Sequence, residues 1–515
     1  MRSIQIGGSA AAPPDGLPAV GLGGQVRGQV ARAQPALERW SLLSVAESGR
    51  THATLVLIGT GLLVVAACWR LAQLPDLVLA PRAFLVLFAL AFLAYALGAV
   101  VAARLRGPVT VGVILTVGLV SRLTLLPLAP TLSTDAYRYV WDARVAAAGV
   151  DPYAYPPTAP EVARLRDSKI FPNLNHTTWR TVYPPVAQAF FRAVYRMAPD
   201  SVFAMKLAIG IAELLALTAV AFLLRALGIP LGRLAIYAWN PLVLVEVWGS
   251  GHLDGLVLAT VAAAALASAR RRDGIAAVLL GIGTLVKLYP AVLLLLLPGR
   301  RRPGVLACFV GVIAVGTIAA GGVSRWPLVP IGRYVSDEYF NPGLVRSVVN
   351  EPLLALVATA AWVGLIAWRG SSGTFAGRAV LMIAGFVALV PNVFPWYVIW
   401  LVPFLAVTPS VPLIAFTGTV GFAYSFFLSE PWAIPLWARL VEAAPLAVAA
   451  LVRLRGWRPS DRPSIGSLGS PRARLALPRR RSNGGGPEPG TEPPPTVTGG
   501  DHGEERRRSP QVDLT

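Results

Sequence analysis

The chain has 515 residues, 55% of them hydrophobic and only 14% charged, whereas soluble domains carry about 25% charged residues. That depletion, with apolar runs near the roughly 20 residues a membrane-spanning helix needs, excludes an ordinary soluble domain and indicates a polytopic membrane protein. The net charge of +20 does not point to a nucleic-acid partner, because the arginines gather in the tails and beside the ends of apolar runs, as cytoplasmic loops do.

Residues 1–50 are rich in Gly, Ala and Pro, with Arg27, Arg32, Arg39 and Arg50, and lack a signal-peptide layout. They read as a disordered cytoplasmic leader. Apolar runs follow at about 51–69, 83–103 and 109–129, with Arg104 and Arg106 between the second and third. Placing that short basic loop inside sends the third run outward and makes 130–186 an extracytoplasmic loop. The runs 203–224, 234–250 and 253–269 keep this alternation, ending inside at Arg270, Arg271 and Arg272. The next block, 274–298, ends at a second triplet, Arg300 to Arg302. Two cytoplasmic triplets forbid a single crossing, so a re-entrant helical hairpin broken near Lys287-Leu-Tyr-Pro290 is expected, the alternative being one ordinary span. Irregular backbone at membrane depth is tolerated where it lines a protein cavity. The runs beyond enclose a second outer loop, 323–350, and end near 452. The expected fold is an all-α polytopic membrane domain over 51–455 with about twelve spans plus the hairpin. Both termini lie in the cytoplasm, and 456–515 form a disordered basic tail.

Cys68 and Cys308 fall in apolar runs and read as packing. The four histidines show no metal-ligand spacing, and no dinucleotide or P-loop fingerprint stands out. Neither a metal nor a cofactor is expected.

The segment 133–153 is the most informative. A helix beginning at Ser133 or Thr134 puts Asp135, Arg138 and Asp142 on one face, and Gly149 and Pro152 end it. A carboxylate at a helix N-terminus is kept ionised by the dipole and can take a proton from a hydroxyl nucleophile. Asp142 lies two turns on, placed to orient substrate hydroxyls or to pair with Arg138. Tyr137, Tyr139 and Trp141 suit interfacial anchoring or stacking on a sugar face. Glu246 sits near the outer end of an apolar run, with His252 and Asp254 in the turn that follows. Ionisable groups at such depth usually face a cavity. Lys287 lies in an apolar block before Tyr289 and Pro290. It either binds an anion such as a lipid-linked phosphate at a hairpin tip or snorkels to the interface. Arg122 is a similar candidate, and Lys206 with Glu213 reads as a structural pair. Thr181-Val-Tyr-Pro-Pro185 fixes an extended turn before a short amphipathic helix over 186–197. The second outer loop, with Tyr334, Asp337, Glu338, Tyr339, Asn341 and Arg346, is a candidate acceptor groove.

Asp135-x-x-Arg138-Tyr139-x-Trp141-Asp142, Gly149-x-Asp151-Pro152-Tyr153 and Thr181-x-Tyr183-Pro184-Pro185 together resemble the first outer loop of GT-C membrane glycosyltransferases. The resemblance is to the polyprenol-phosphate-mannose-dependent enzymes of glycosyltransferase family 87 and to the GPI mannosyltransferase I type. Lys287-Leu-Tyr-Pro290 and Pro395-Trp-Tyr397 resemble segments of the bacterial group. The resemblance implies an inverting transferase that moves a sugar, mannose, from a polyprenyl phosphate donor to a lipid or glycan hydroxyl on the outer face. It implies Asp135 and Asp142 as catalytic residues. The candidate substrate-binding residues are Arg138, Tyr139, Arg144, Tyr183, Glu246, His252, Asp254, Lys287 and Tyr289. The chain departs from the paired acidic motif of some GT-C members, since Thr134 and Ala136 flank Asp135. The competing class is a transporter or lipid flippase, which usually carries internal repeats with paired broken helices. One candidate broken helix and no clear second copy count against it.

Overall fold

The structure, a computed structural model, describes residues 49–368 and 374–455. Nearly all of the leader and the whole tail lie outside the described residues. Among those described, the regular structure is helical. Five helices are long and apolar enough to cross a membrane: α1 (Gly49–Ala72), α2 (Pro81–Arg104), α3 (Pro108–Leu125), α6 (Val202–Ala226) and the segment Val411–Leu428. A sixth arises if Pro303–Ala319 and Val323–Asp337, bent by 88°, count as one span. Two shorter helices, α4 (Asp135–Ala147) and α5 (Pro185–Met197), lie between α3 and α6. About twelve spans are read from the run lengths, whereas the other apolar runs form shorter helices such as Asp254–Ala269 (α7), Asp273–Thr284 (α8) and Phe375–Leu389. Apolar length sets helix length only where no breaker intervenes.

The breakers are visible. Pro81 and Pro108 occupy first-turn positions, where a missing N–H costs nothing. Gly107, at φ +113°, supplies the turn that lets Pro108 start α3 immediately after α2. The outward faces of α1–α3 and α6 expose Leu62, Leu93, Leu123 and Leu215, a pattern suited to hydrocarbon and not to water.

The run 234–250 is the most interrupted. Asn240 ends the turn Ala235–Ala238 and caps the next, accepting from the N–H groups of Leu242 (3.0 Å) and Val243 (3.3 Å). A π-helical stretch, Leu244–Gly249, follows, so Glu246 sits on irregular backbone, a geometry often met at functional sites. This segment is the buried axis of the molecule. Trp239 is fully buried and donates to the Ile114 carbonyl at 2.9 Å. Gly61 and Gly98 make room for its ring, since a Cβ on Gly98 would lie 2.6 Å from it.

The block 274–298 turns back on itself. α8 stops at Thr284, the backbone loosens through Lys287, and a second limb, α9 (Pro290–Leu294), returns until Gly299 lies against Asp273. The two ends of the block are therefore neighbours, with Lys287 at the tip.

Lys206 and Glu213 do not pair with each other. Glu213 takes both oxygens to Arg122, at 2.7 and 2.8 Å, and accepts from Trp248 at 3.0 Å. Lys206 donates to the carbonyls of Leu126 and Leu128 at the end of α3, covering groups a helix terminus leaves unpaired. Arg122 and Glu213 are both fully buried, so removing one partner strands a charge out of water. Glu213→Ala is expected to destabilise the fold by about 3–5 kcal/mol, read as a lowered thermal midpoint in detergent. A variant as stable as the unaltered protein would contradict the pairing.

Candidate active site

The 130–186 loop, the hairpin tip and the 323–432 region enclose a cavity of about 980 Å³. Asp135, Arg138, Tyr183, Lys287 and Tyr289, from three separate stretches of chain, all line it. The sequence expectation of a helix from Asp135 holds, with Gly149 at φ +78° behind its end. The cap differs: Thr134 accepts no side-chain cap bond, and the Asp135 N–H instead meets Ser133 Oγ at 3.4 Å.

Asp135 opens α4 and faces the cavity, with Oδ1 accepting from Asn175 Nδ2 at 2.6 Å. An ionised carboxylate has about four acceptor positions, so this bond orients the group and leaves capacity for a substrate hydroxyl. One turn on, Arg138 lines the cavity while its Nε donates to Asp142 at 3.0 Å and its other nitrogens to the carbonyls of His176 and Trp179. Asp142 stands behind it, 1% exposed, and also accepts from Thr181 (2.5 Å) and Gln188 (2.8 Å). These bonds tie α4 to the irregular 175–184 stretch and to α5, whose Ala187, Gln188, Phe191 and Val194 lie on its buried face.

Several sequence candidates stand one layer deeper. Tyr139 stacks on Phe191 at 4.6 Å, meets Tyr183 edge-on, and its hydroxyl accepts from the Leu253 N–H at 3.2 Å. Glu246 accepts from Tyr424 at 2.9 Å and lies 3.0 Å from His252 Nδ1. The His252 ring stacks at 4.1 Å on Trp396, a wall residue. Asp254 holds Lys287 at 2.8 and 3.0 Å and accepts from Trp400 at 2.6 Å. Arg144 lies apart from the cavity. It joins Asp167 (2.8 Å) and Asp200 (2.7 Å) at the far end of α4.

The 323–350 loop adds to the cavity lining. Ile331, Val335, Glu338, Tyr339 and Phe340 line the cavity, and Glu338 lies 3.3 Å from His176. An Arg325–Asp151 ion pair joins the two loops further out. Asn341 and Arg346 turn inward instead, to Glu442 and to the carbonyls of Ser336 and Glu338.

Asn175, Arg180, Trp400 and Tyr424 were not legible as site residues. Asn175 and Arg180 sit in a polar stretch without periodicity, and Trp400 and Tyr424 sit inside apolar runs. Among the described residues, no group of three His, Cys, Asp or Glu is placed to hold a metal ion.

A family model, the MptA/B family alpha-(1->6)-mannopyranosyltransferase N-terminal domain, matches residues 16–298. That span takes in α1 to α9 and contains Asp135, Asp254 and Lys287, but stops before Trp396, Trp400 and Tyr424. No curated protein and no solved structure matches the chain.

The hydrogen bond from Arg144 holds the Asp167 carboxyl well below the ordinary carboxylate range. A depressed carboxyl contributes stability that is present above its ordinary pKa and fades as the pH falls through the lowered one. The first loop should therefore become more susceptible to an acid-active protease as the pH drops below the usual carboxylate range. Asp167→Asn should flatten that dependence, and an unchanged acid response in this variant would exclude the pair as its source.

Proposed function

This chain belongs to the MptA/B family of alpha-(1->6)-mannopyranosyltransferases, and on that premise we propose that it moves mannose from a polyprenyl phosphate donor to a lipid or glycan hydroxyl. Family membership makes it a mannosyl-transferring glycosyltransferase, and the spanning-length helices make it a helical membrane protein. The donor, the mechanism, the GT-C arrangement of about twelve spans, the extracytoplasmic face and the cytoplasmic termini belong to the proposal.

The observation that carries it is that a helix-starting carboxylate and the lysine at a hairpin tip line one cavity. In the reaction the acceptor oxygen attacks the anomeric carbon while Asp135 takes the hydroxyl proton. The bond from that carbon to the phosphate oxygen breaks, and the polyprenyl phosphate leaves with the electron pair. Attack from the face opposite the leaving group inverts the centre, turning a β-linked donor into an α-glycoside. Negative charge grows on the phosphate as the bond opens, and a fixed cation placed there acts more strongly on the transition state than on the donor. Lys287 supplies that cation. Arg138 lines the same cavity and is held by Asp142, which acts as a positioning residue.

Support for Asp135 as the base comes from its place at the start of α4, where the helix dipole favours the ionised form, and from the Asn175 bond that fixes its plane. General-base assistance contributes about 10²- to 10⁴-fold. Asp135→Asn should lower kcat for transfer from a polyprenyl phosphate mannose donor by that factor, with an unchanged thermal midpoint. A well-folded variant of undiminished activity would remove Asp135 from the reaction.

A further inference from the structure

We propose that Asp254 is a positioning residue for Lys287, which holds the ammonium in place and tempers its charge so that the released polyprenyl phosphate can leave. The proposal rests on the reading that Lys287 meets the donor phosphate.

Asp254 is 1% exposed and does not line the cavity, so it acts through its partners. It starts α7, where an anion is favoured by the helix dipole. Both of its oxygens receive Lys287 Nζ, and Oδ1 also receives the Trp400 indole N–H. The ammonium lies 4.7 Å from the Tyr397 ring centroid and 5.5 Å from that of Trp400, within reach of the cation–π attraction. Tyr289, two residues from the lysine, stacks on Trp400 at 3.5 Å. A lysine is a point charge on a flexible stem. In this setting the ammonium is held by a carboxylate from α7 and lies beside ring faces from 395–407. The lysine side chain is still 26% exposed, which leaves the ammonium open to the cavity contents.

The charge balance gives the second half of the proposal. The donor is a phosphodiester with one negative charge. The product is a monoester with about −1.5 to −2 at neutral pH. A lone lysine would therefore hold the product more tightly than the donor, and turnover would stall on release. With Asp254 beside it, the pair is neutral overall, and the excess attraction for the product is reduced. The lysine remains close enough to meet charge as it develops.

The test uses the full-length protein in proteoliposomes with a polyprenyl phosphate mannose donor, and polyprenyl phosphate added as a product inhibitor. Asp254→Asn removes the neighbouring negative charge, so product inhibition should tighten by about tenfold, the size expected for one charge a few ångströms away. Lys287→Met should shift it the other way and raise the donor KM. These opposite responses from two bonded partners are what a merely structural contact would not produce. Trp400→Phe keeps both charges and a ring beneath the ammonium but removes the N–H that fixes Asp254. It should lower kcat about tenfold while product inhibition stays within about twofold, and it serves if Asp254→Asn does not fold. Unchanged or weaker product inhibition in Asp254→Asn, or an unaltered kcat in Trp400→Phe, overturns the proposal. Failure of the unaltered protein to transfer from any polyprenyl donor would instead remove the function reading beneath it.

Discussion

A charge taken out of water has to meet its opposite, and that requirement shapes the interior of this protein. Arg122 with Glu213, Arg138 with Asp142, and Lys287 with Asp254 are each a buried or half-buried cation held by a carboxylate. The first pair joins α3 to α6 and, through Trp248, to the π-helical axis. The second holds α4 against α5 through Thr181 and Gln188. The third joins the hairpin tip to α7 and to the 395–407 segment. Without these partners each charge would carry a desolvation cost of several kcal/mol, so the pairs act as register marks between segments distant in sequence. Arg138 and Lys287, one member each of the second and third pairs, line the cavity.

The same constraint sorts the candidate residues into layers. Asp135 and Lys287 face the cavity and can meet a substrate. Asp142, Asp254 and Glu246 sit behind, each bonded to a residue of the wall, and His252 stacks on one. A transferase needs both layers: groups whose charge can act on a changing bond, and supports that prevent those groups from collapsing onto each other. The matched family region supplies Asp135, Arg138 and Lys287 of the cavity lining, whereas most of its aromatic residues lie beyond 298.

The sequence exposed much of this, but unevenly. The helix at Asp135 was legible because Ser, Thr and Asp start helices, while Gly149 and Pro152 end them. The reversal at Lys287 was legible because two arginine triplets flank one apolar block, and the chain does turn back there, bringing Gly299 against Asp273. Helix lengths were not legible, because a hydrophobic run through Asn240-Pro241 looks continuous while its backbone is broken by a cap and a π turn. Partner choice was hidden as well. Lys206 and Glu213 share a helix face, yet one caps α3 and the other pairs with Arg122, since sequence spacing reports the face of a helix and not what packs against it. Trp400 and Tyr424 resemble ordinary core aromatics until the fold places their polar atoms on Asp254 and Glu246.

The most direct test is a cryo-EM structure of the protein with a non-transferable phosphonate analogue of polyprenyl phosphate mannose. The head group is expected inside the cavity, with a phosphonate oxygen within hydrogen-bond reach of Lys287 Nζ and the anomeric carbon turned towards Asp135. A head group seated outside this cavity, or a phosphonate bound away from Lys287, would contradict it.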